Sequence, residues 1–239
     1  MTNLVAAAYD SSGQQVFDPN VVGRGNSYVF TGIWSRRPIP TAALAGAQMC
    51  ITDVPIGGRS FWWCDGTYWK PVNGQVSIYN QNGGYTNVLA SVTWAGAAIL
   101  MALPGGSPKI PGGMIIPGQT ELRYSALWYY KPGGVGGVNC NATLGTSNSF
   151  GDSQLAGQFV NTNNEWEAFA SVTFPTTALA VQANPSTGRN GAPAGAVGAE
   201  YATNINTNAD MFMNFGTNTG TTNGNILALV RLRIDLLFP

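Results

Sequence analysis

Glycine and proline interrupt this sequence throughout its length. The chain has 31 glycines and 14 prolines among 239 residues. Proline lacks the backbone N–H that a helix interior needs, and glycine loses the most backbone entropy when it is fixed there. Such frequent interruption favours short strands joined by turns over long helices. The sequence therefore predicts an all-β protein.

Three segments support this prediction because apolar and polar residues alternate in them. A period of two places successive side chains on opposite faces of a strand, so each segment is predicted to have one buried and one solvated face. The segments are "TELRYSALWYY" (120–130), "EWEAFASVTF" (165–174) and "LVRLRIDLLF" (229–238). Weaker strand candidates lie near residues 75–80, 86–94, 97–103, 138–144, 178–183 and 210–215. Roughly nine or ten strands beyond residue 75 are typical of an antiparallel β-sandwich or jelly roll.

The N-terminal part of the chain has a different organisation. Residues 1–30 show no sustained periodicity and are predicted to form an extended arm, which becomes ordered only when something outside its own domain holds it. Residues 31–74 are predicted to form a small module, and residues 75–239 a distal β-rich domain. One segment has helical character, "TAALAGAQM" (41–49), and it is predicted to form a short helix with Thr41 as the N-cap.

Charge and residue content exclude several classes of function. Lysine plus arginine and aspartate plus glutamate each number 11, so the formal net charge is zero and no basic surface is predicted for nucleic acid or an anionic membrane. The chain has no histidine, which removes the commonest general base and most zinc and iron sites. A neutral surface rich in Gly, Asn, Thr and Ser favours association over repulsion. We therefore expect an assembly component that uses no cofactor.

No targeting or membrane-spanning segment is predicted. The N-terminus "MTNLVAAAYDSSG" has no basic region ahead of an apolar run, unlike a secretory signal. The longest apolar stretch, residues 88–103, is interrupted by Ser91 and Thr93 and is shorter than a membrane-spanning helix. We expect the chain to fold in the cytoplasm without inserting into a membrane.

The cysteines and acidic residues do not indicate a metal site. Cys50, Cys64 and Cys140 are odd in number and lack C-x-x-C spacing. From the sequence, buried reduced thiols and a bridge between Cys50 and Cys64 are both open. The segment "NINTNAD" (204–210) alternates oxygen-bearing residues but lacks the glycine and the glutamate of an EF-hand loop, so no metal is assigned to it.

The segment "FWWCDGTYW" (61–69) concentrates aromatic residues around the pair Asp65-Gly66. An Asp-Gly pair tolerates the positive φ angles of a two-residue type I′ turn, so a hairpin is predicted with this pair as its loop. Each side of the ribbon would then carry one aromatic pair, and neither side suits water. The predicted pairing places Cys64 opposite Thr67, Trp63 opposite Tyr68, and Trp62 opposite Trp69.

A two-stranded ribbon cannot cover so much aromatic surface by itself. Four residues are therefore predicted to be mostly buried, with at least one at an interface with another subunit or a partner: Trp62, Trp63, Tyr68 and Trp69. Two other interpretations stay open. The ribbon is a central hairpin in the core of a single chain, or it is an exposed platform on which sugars stack.

The run "RPIPTAALAGAQMCITDVPIGGRSFWWCDGTYWKPVNGQV" (37–76) resembles a module found near the N-terminus of tailed-bacteriophage virion appendage proteins. In those proteins an Ala/Gly-rich segment precedes a "TD" strand and a W-x-DGT-x-W-x-PVNG hairpin. The resemblance implies that residues 1–30 attach to the virion, that residues 31–74 are an adaptor, and that residues 75–239 form a distal head.

The first functional hypothesis is a tail fibre or receptor-binding appendage of a bacteriophage virion. Such a protein would be a homo-oligomer, with a trimer expected, and would bind other virion proteins through its arm. Neutral loops at 143–154, 184–198 and 216–225 would contact a host polysaccharide or protein. The residues proposed for that contact are Asn148, Asp152, Asn190, Asn218 and Asn223.

Two alternatives belong to other classes of protein. One is a capsid decoration, cement or head-fibre protein, and the other is a carbohydrate-active enzyme. Glycoside hydrolysis needs two carboxylates about 5 to 10 Å apart, and Glu165 and Glu167 share one face of a predicted strand. Because carboxylates on a wet strand face usually only solubilise a protein, we predict no enzyme and assign no catalytic residue. The other candidate carboxylates are Glu121, Asp152, Glu200 and Asp210.

Overall fold

The computed structural model describes residues 8–9, 15–17, 29–54, 59–81, 88–90, 99–100, 103, 106–131, 138–146, 153–160, 164–187, 201–202, 205–219 and 226–239. The chain divides into two compact units. The first comprises Met1–Ser77 together with Leu237–Pro239, and the second comprises Ile78–Leu236. The predicted start of the distal domain at residue 75 lies close to this division, but the C-terminal residues return to the first unit. Whether residues 75–239 fold alone stays a prediction.

Strands dominate the described residues, so the all-β prediction is confirmed. Two short 3-10 turns are also described, Trp34–Arg36 and Ala42–Leu44. Within the described ranges, no helix is long and apolar enough to cross a membrane. The strands in chain order are β1 (Ala8–Tyr9), β2 (Gln15–Phe17), β3 (Val29–Gly32), β4 (Gln48–Ile51), β5 (Ser60–Cys64), β6 (Trp69–Pro71), β7 (Gln75–Gln81), β8 (Val88–Ala90), β9 (Ile99–Leu100), β10 (Lys109–Ile110), β11 (Glu121–Lys131), β12 (Val138–Gly145), β13 (Ser153–Val160), β14 (Asn164–Thr176), β15 (Leu179–Thr187), β16 (Tyr201–Ala202), β17 (Met211–Thr219) and β18 (Ile226–Leu237).

The first unit contains a four-stranded sheet in the order β3-β4-β5-β6. β3 runs parallel to β4, whereas the β4–β5 and β5–β6 pairs are antiparallel. One face of this sheet supplies the core of the unit, and the opposite face carries the exposed side chains described below. The buried residues of the core are Trp34, Leu44, Ala47, Met49, Ile51, Trp62, Cys64, Trp69 and Phe238.

The predicted short helix at residues 41–49 is only partly present. It is limited to the 3-10 turn at Ala42–Leu44, where Thr41 occupies the N-cap position as predicted but its side chain makes no capping hydrogen bond. The chain turns away because Gly46 adopts a φ of 85° and its N–H donates to the carbonyl of Cys64 at 2.9 Å. β4 therefore begins soon afterwards and pairs with the aromatic hairpin.

The predicted N-terminal arm is described only in part. β1 pairs antiparallel with β2 inside it, and Val29–Phe30 already belong to β3. These parts of the arm are therefore paired as strands rather than running as a single extended chain. The other residues of the arm lie outside the described residues, and its role in virion attachment stays a prediction.

The second unit is built on two sheets. A seven-stranded sheet has the order β16-β15-β14-β11-β18-β7 with β8 also paired to β18, and a five-stranded sheet has the order β10-β17-β12-β13 with β9 also paired to β17. Phe215 of β17 lies between the sheets, with its ring centroid 6.3 Å from Tyr124 and 6.4 Å from Trp128 of β11. The two sheets thus contact each other through apolar side chains. The sandwich or jelly-roll connectivity stays a prediction.

The alternation predicted for the three strongest segments is confirmed where their side chains are described. Polar residues of β11, β14 and β18, such as Arg123, Thr173 and Arg233, lie on the outer face of the seven-stranded sheet and are exposed. Their apolar neighbours point inward. The buried residues of these strands are Leu122, Tyr124, Ala126, Trp128, Ala170, Val172, Phe174, Leu232, Ile234 and Leu236.

Candidate functional site

A four-residue loop joins β5 to β6 in the centre of the aromatic segment. Cys64 lies opposite Trp69, Trp63 opposite Lys70, and Trp62 opposite Pro71, so the loop consists of residues 65–68. The predicted two-residue loop at Asp65-Gly66 is therefore wrong, and with it the predicted pairing. Each β5 residue pairs with a β6 residue two positions beyond the predicted one. Because side chains alternate with a period of two, each β5 side chain still lies on the face that the predicted pairing gave it.

The carboxylate of Asp65 stabilises this longer loop. Its Oδ1 accepts hydrogen bonds from the N–H groups of Thr67 (2.8 Å) and Tyr68 (2.7 Å), and its own N–H donates to the carbonyl of Tyr68 (3.0 Å). Gly66 contributes a φ of 98°. This bonding is typical of an Asx turn, which competes with the tighter type I′ turn. Burial alone would raise the pKa of Asp65, but the two backbone donors and Lys70 lower it, so the carboxylate stays ionised at neutral pH.

The inner face of the hairpin belongs to the core of the first unit. Trp62 is fully buried, with its ring centroid 4.6 Å from Trp34 and 5.7 Å from Phe238. The indole N–H of Trp69 donates to the carbonyl of Pro38 at 2.8 Å. Trp62 and Trp69 are thus covered by their own chain, which removes them from the predicted partner interface.

The outer face of the same hairpin is exposed and apolar. Phe61 is 60% exposed, Val72 52%, Trp63 39% and Tyr68 38%. The N–H of Val72 donates to the carbonyl of Phe61 at 2.8 Å, so these two residues are neighbours across the ribbon. We call these four residues the aromatic face. Trp63 and Tyr68 are therefore not buried within the chain, and the prediction that they lie at an interface stays open to test.

The aromatic face carries no net charge. Lys70 lies opposite Trp63 in the β5–β6 ladder and forms an ion pair with Asp65 at 3.0 Å. A partner packing on this face therefore has no unpaired lysine to neutralise, since the lysine already has its counter-ion. Apolar contact would supply most of the binding energy here.

Cys50 and Cys64 are free thiols and buried. Cys50 pairs with Phe61 and Cys64 with Trp69, and the alternation along β5 puts Phe61 and Cys64 on opposite faces of the sheet. The bridge between Cys50 and Cys64 is thus not formed. Burial raises the pKa of the Cys64 thiol, which keeps it protonated and unreactive.

A second surface lies on the outer face of the seven-stranded sheet. It is an open groove of about 410 Å³ that crosses β14, β11 and β18. Arg123 donates to both carboxylate oxygens of Glu121, at 2.8 and 3.2 Å, and Arg233 donates to Asp235 at 2.6 Å. Phe169 of β14 lines the same groove and is 45% exposed.

The candidate carboxylates whose side chains are described, Glu121, Glu167 and Asp210, form ion pairs with cations. Glu167 accepts hydrogen bonds from Ser125 (2.5 Å) and Arg231 (2.6 Å). The hydrogen bond from Arg123 is the main cause that lowers the pKa of Glu121. Burial alone would raise the pKa of Asp210, but Lys109, 2.6 Å away, and the N–H of Gly112 lower it. Among the described residues, no group of three or more His, Cys, Asp or Glu side chains could hold a metal ion.

Most of the predicted receptor-contact residues lie outside the described residues, namely Asn148, Asp152, Asn190 and Asn223. Asn218 lies in strand β17 rather than in a loop, at a register shift in the ladder with β12. The predicted loops at 143–154, 184–198 and 216–225 all begin with residues that belong to strands. The structure therefore does not bring these residues together as a described site.

Sequence reasoning missed Phe169. The signal was present, because Phe169 stands on the polar face of "EWEAFASVTF", where the alternation predicts a polar residue.

No protein-family model matches this chain, and no curated protein sequence matches it significantly. The functional interpretation of the chain therefore depends on the two surfaces described above.

Proposed function

We propose that the protein is a structural component of a bacteriophage virion, a tail fibre or receptor-binding appendage that mediates host attachment. The observation that carries this proposal is the aromatic face, which lies on the module that resembles the phage adaptor. One side of its sheet forms a core with Trp34 and Phe238, whereas the other side leaves Phe61, Trp63 and Val72 in solvent. Exposed clusters of large apolar side chains are typical of protein–protein contacts.

In the assembled particle the aromatic face packs against a second copy of the chain or a neighbouring virion protein. Aromatic residues are enriched in such interfaces, and charged residues are depleted at their centres. Phe61 and Trp63 meet the first condition, and Lys70, which lies opposite Trp63, is neutralised by Asp65. The zero formal net charge of the chain removes long-range repulsion between copies. A homotrimer is the proposed state, localised in the virion after assembly in the host cytoplasm.

A capsid decoration or head-fibre protein is the second candidate, since it would use the same apolar contact. An enzyme is the weaker candidate. A general acid in glycoside hydrolysis needs a raised pKa, whereas the pKa values of Glu121 and Asp210 are lowered by neighbouring cations. Both carboxylates are therefore suited to ion pairing.

The assembly part of the proposal is tested by paired substitutions on the two surfaces. Phe61→Asp introduces a charge into the aromatic face, and Phe169→Asp introduces the same charge into the groove of the second unit. Light scattering on purified protein at micromolar concentration should show an oligomer for the wild type and for Phe169→Asp, and a smaller species for Phe61→Asp. A wild-type chain that stays monomeric would contradict the proposed assembly.

The position of the protein on the virion distinguishes the appendage hypothesis from the decoration-protein hypothesis. Labelled antibody against this chain, applied to virions of the phage that encodes it, should mark the tail in few copies. Excess purified protein should also reduce adsorption of those virions to host cells. Label spread over the capsid, with particles that still adsorb when they lack the protein but lose DNA on heating, would favour the decoration protein instead.

A further inference from the structure

The groove on the seven-stranded sheet lies outside the aromatic face proposed for the assembly contact. Its volume of about 410 Å³ falls within the range of small-molecule sites, about 300 to 1,000 Å³. We propose that this groove binds a neutral saccharide. The proposal rests on the attachment function proposed above for its biological meaning, because a saccharide-binding appendage would use this groove to contact the host surface.

The charges of the groove are balanced within it. Arg123 makes two hydrogen bonds to Glu121, and Arg233 pairs with Asp235. The first pair is ionised at neutral pH, since Arg123 lowers the pKa of Glu121. A charged ligand would have to break one of these pairs or lie against them without a counter-ion, which costs free energy. A neutral polar ligand avoids that cost.

The same residues offer donors and acceptors at close spacing. The side chains of Arg123 and Arg233 are 58% and 53% exposed, so their remaining guanidinium N–H groups face solvent as donors. The carboxylates beside them accept hydrogen bonds. Each sugar hydroxyl can both donate and accept a hydrogen bond. A ligand with several hydroxyls therefore matches neighbouring donors and acceptors better than a ligand that has only one kind of group.

A buried acceptor lies under the rim of the groove. Asp235 is only 9% exposed, and its Oδ1 accepts no hydrogen bond from any described residue. Its other oxygen is bonded to Arg233, whose side chain is mostly in solvent. A hydroxyl donor of a bound ligand would give Oδ1 the hydrogen-bond partner that buried polar atoms usually have.

Phe169 gives the groove an apolar platform. Within the described part of the second unit it is the one large apolar side chain that is exposed, and it lies directly opposite Ser125 in the β11–β14 ladder. The apolar ring is therefore surrounded by polar side chains and is partly exposed to water. The C–H face of a sugar ring can pack on an aromatic ring while its hydroxyls bond at the edges, which buries the phenylalanine without stranding a polar group.

A peptide strand fits this groove less well. Extended peptides usually bind by adding a strand to the edge of a sheet. β11 lies between β14 and β18, and β14 lies between β15 and β11, so their backbone groups are already paired on both sides. Only side chains are left to recognise a ligand, which again favours one that is rich in hydroxyls.

The test uses the full-length protein and an array of defined neutral oligosaccharides containing glucose, galactose, mannose, rhamnose or N-acetylglucosamine. Sialylated and sulfated oligosaccharides of matched length serve as charged probes. The wild type should bind at least one neutral oligosaccharide, and Phe169→Ala should weaken that binding about tenfold or more. Ile39→Ala removes an exposed apolar side chain that belongs to neither the aromatic face nor the groove, and it should leave saccharide binding unchanged. Arg123→Gln, at an exposed position, should weaken binding without affecting the fold.

Several outcomes would overturn the groove proposal. They are binding of charged oligosaccharides only, no binding of any neutral probe, equal binding by Phe169→Ala and wild type, and a change of oligomeric state in Phe169→Ala, which would make the groove a contact between copies. Failure of the two proposals can be told apart. Protein that sits on the tail and blocks adsorption but binds no neutral probe overturns the groove alone. Saccharide binding by a protein that is absent from virions overturns the attachment function and leaves the groove in place.

Discussion

The aromatic face of the first unit and the groove of the second unit are both uncovered faces of β-sheets whose other faces are buried. The aromatic face exposes Phe61, Trp63 and Val72 beside a single ion pair. The described part of the outer face of the seven-stranded sheet has the reverse composition, with three ion pairs and one exposed phenylalanine. On each strand the residues that point to the buried face must be apolar. The residues on the other face are not constrained in this way, so their composition can suit the ligand or partner that each surface contacts.

This difference indicates two kinds of contact. An apolar face with its charges neutralised loses little on desolvation and gains from burial, so it suits a permanent protein partner. A face of paired charges is well hydrated when no ligand is bound, so it suits a ligand that binds reversibly. The two surfaces should therefore respond differently to the same kind of substitution.

The largest expected effect contrasts the two sides of the hairpin. Trp62→Ala removes a fully buried ring and should lower the free energy of unfolding of the first unit by about 3 to 5 kcal/mol. Trp63→Ala, one residue further on the exposed side, should cost less than about 1 kcal/mol in the monomer but weaken self-association. Urea unfolding followed by circular dichroism measures both. Equal losses in a verified monomer would mean that Trp63 is covered by its own chain.

A tight backbone approach in the second unit should give the next largest effect. A Cβ atom at Gly112 would lie 2.6 Å from the carbonyl oxygen of Asn208 and 3.0 Å from the backbone of Ala209. Because backbone atoms cannot move aside cheaply, Gly112→Ala should destabilise this unit by about 2 to 3 kcal/mol. Gly32→Ala is the matched control, since no atom lies within 4 Å of its added methyl group. A harmless Gly112→Ala would show that the turn at Asn208 can relax.

Much of the second unit could be predicted from the sequence because its strands alternate strongly. The pattern of "LVRLRIDLLF" assigns Leu232, Ile234 and Leu236 to the core, and all are buried. Strand existence follows from this local pattern, whereas the pairing of distant strands depends on contacts that no short segment specifies. The return of Phe238 to the core of the first unit is such a contact, and nothing in its neighbourhood of the sequence indicates it.

The hairpin shows where local reasoning fails. Asp65-Gly66 favours a two-residue turn by its backbone preferences, but the Asp65 side chain finds two N–H donors only if the loop extends to Tyr68. Backbone preference and side-chain bonding compete within the same residues, and the sequence does not rank them. The groove was missed for another reason, because the alternation of residues 165–174 predicts which side chains are buried and leaves the apolar residue on the polar face, Phe169, unexplained.

A smaller effect tests how the Asp65 side chain fixes the loop of the first unit. Asp65→Ala removes the acceptor of the Thr67 and Tyr68 N–H groups and should cost about 1 to 2 kcal/mol. Thr67→Ala changes an exposed side chain in the same loop, retains its backbone N–H, and should stay within about 0.5 kcal/mol. Chemical denaturation reports both values. If the two variants lose the same stability, the carboxylate does not hold the loop.

The smallest effect is the response of each unit to acid. Asp65 in the first unit and Asp210 in the second both have pKa values lowered from 3.8, so each stabilises its unit above that pH and stops doing so as the pH falls through its folded pKa. Asp65→Asn keeps an oxygen for the Thr67 and Tyr68 N–H groups but cannot titrate, so it should flatten the acid dependence of the first unit only. Asp210→Asn should do the same for the second unit. Each change should amount to no more than about 1 kcal/mol, since both ion pairs are partly in solvent.

Hydrogen exchange of amides in β5 and β6, compared with those in β10 and β17, measures the stability of each unit separately as the pH is lowered. If either substitution flattened the acid response of both pairs of strands equally, the two units would share one stability and could not carry their two contacts independently.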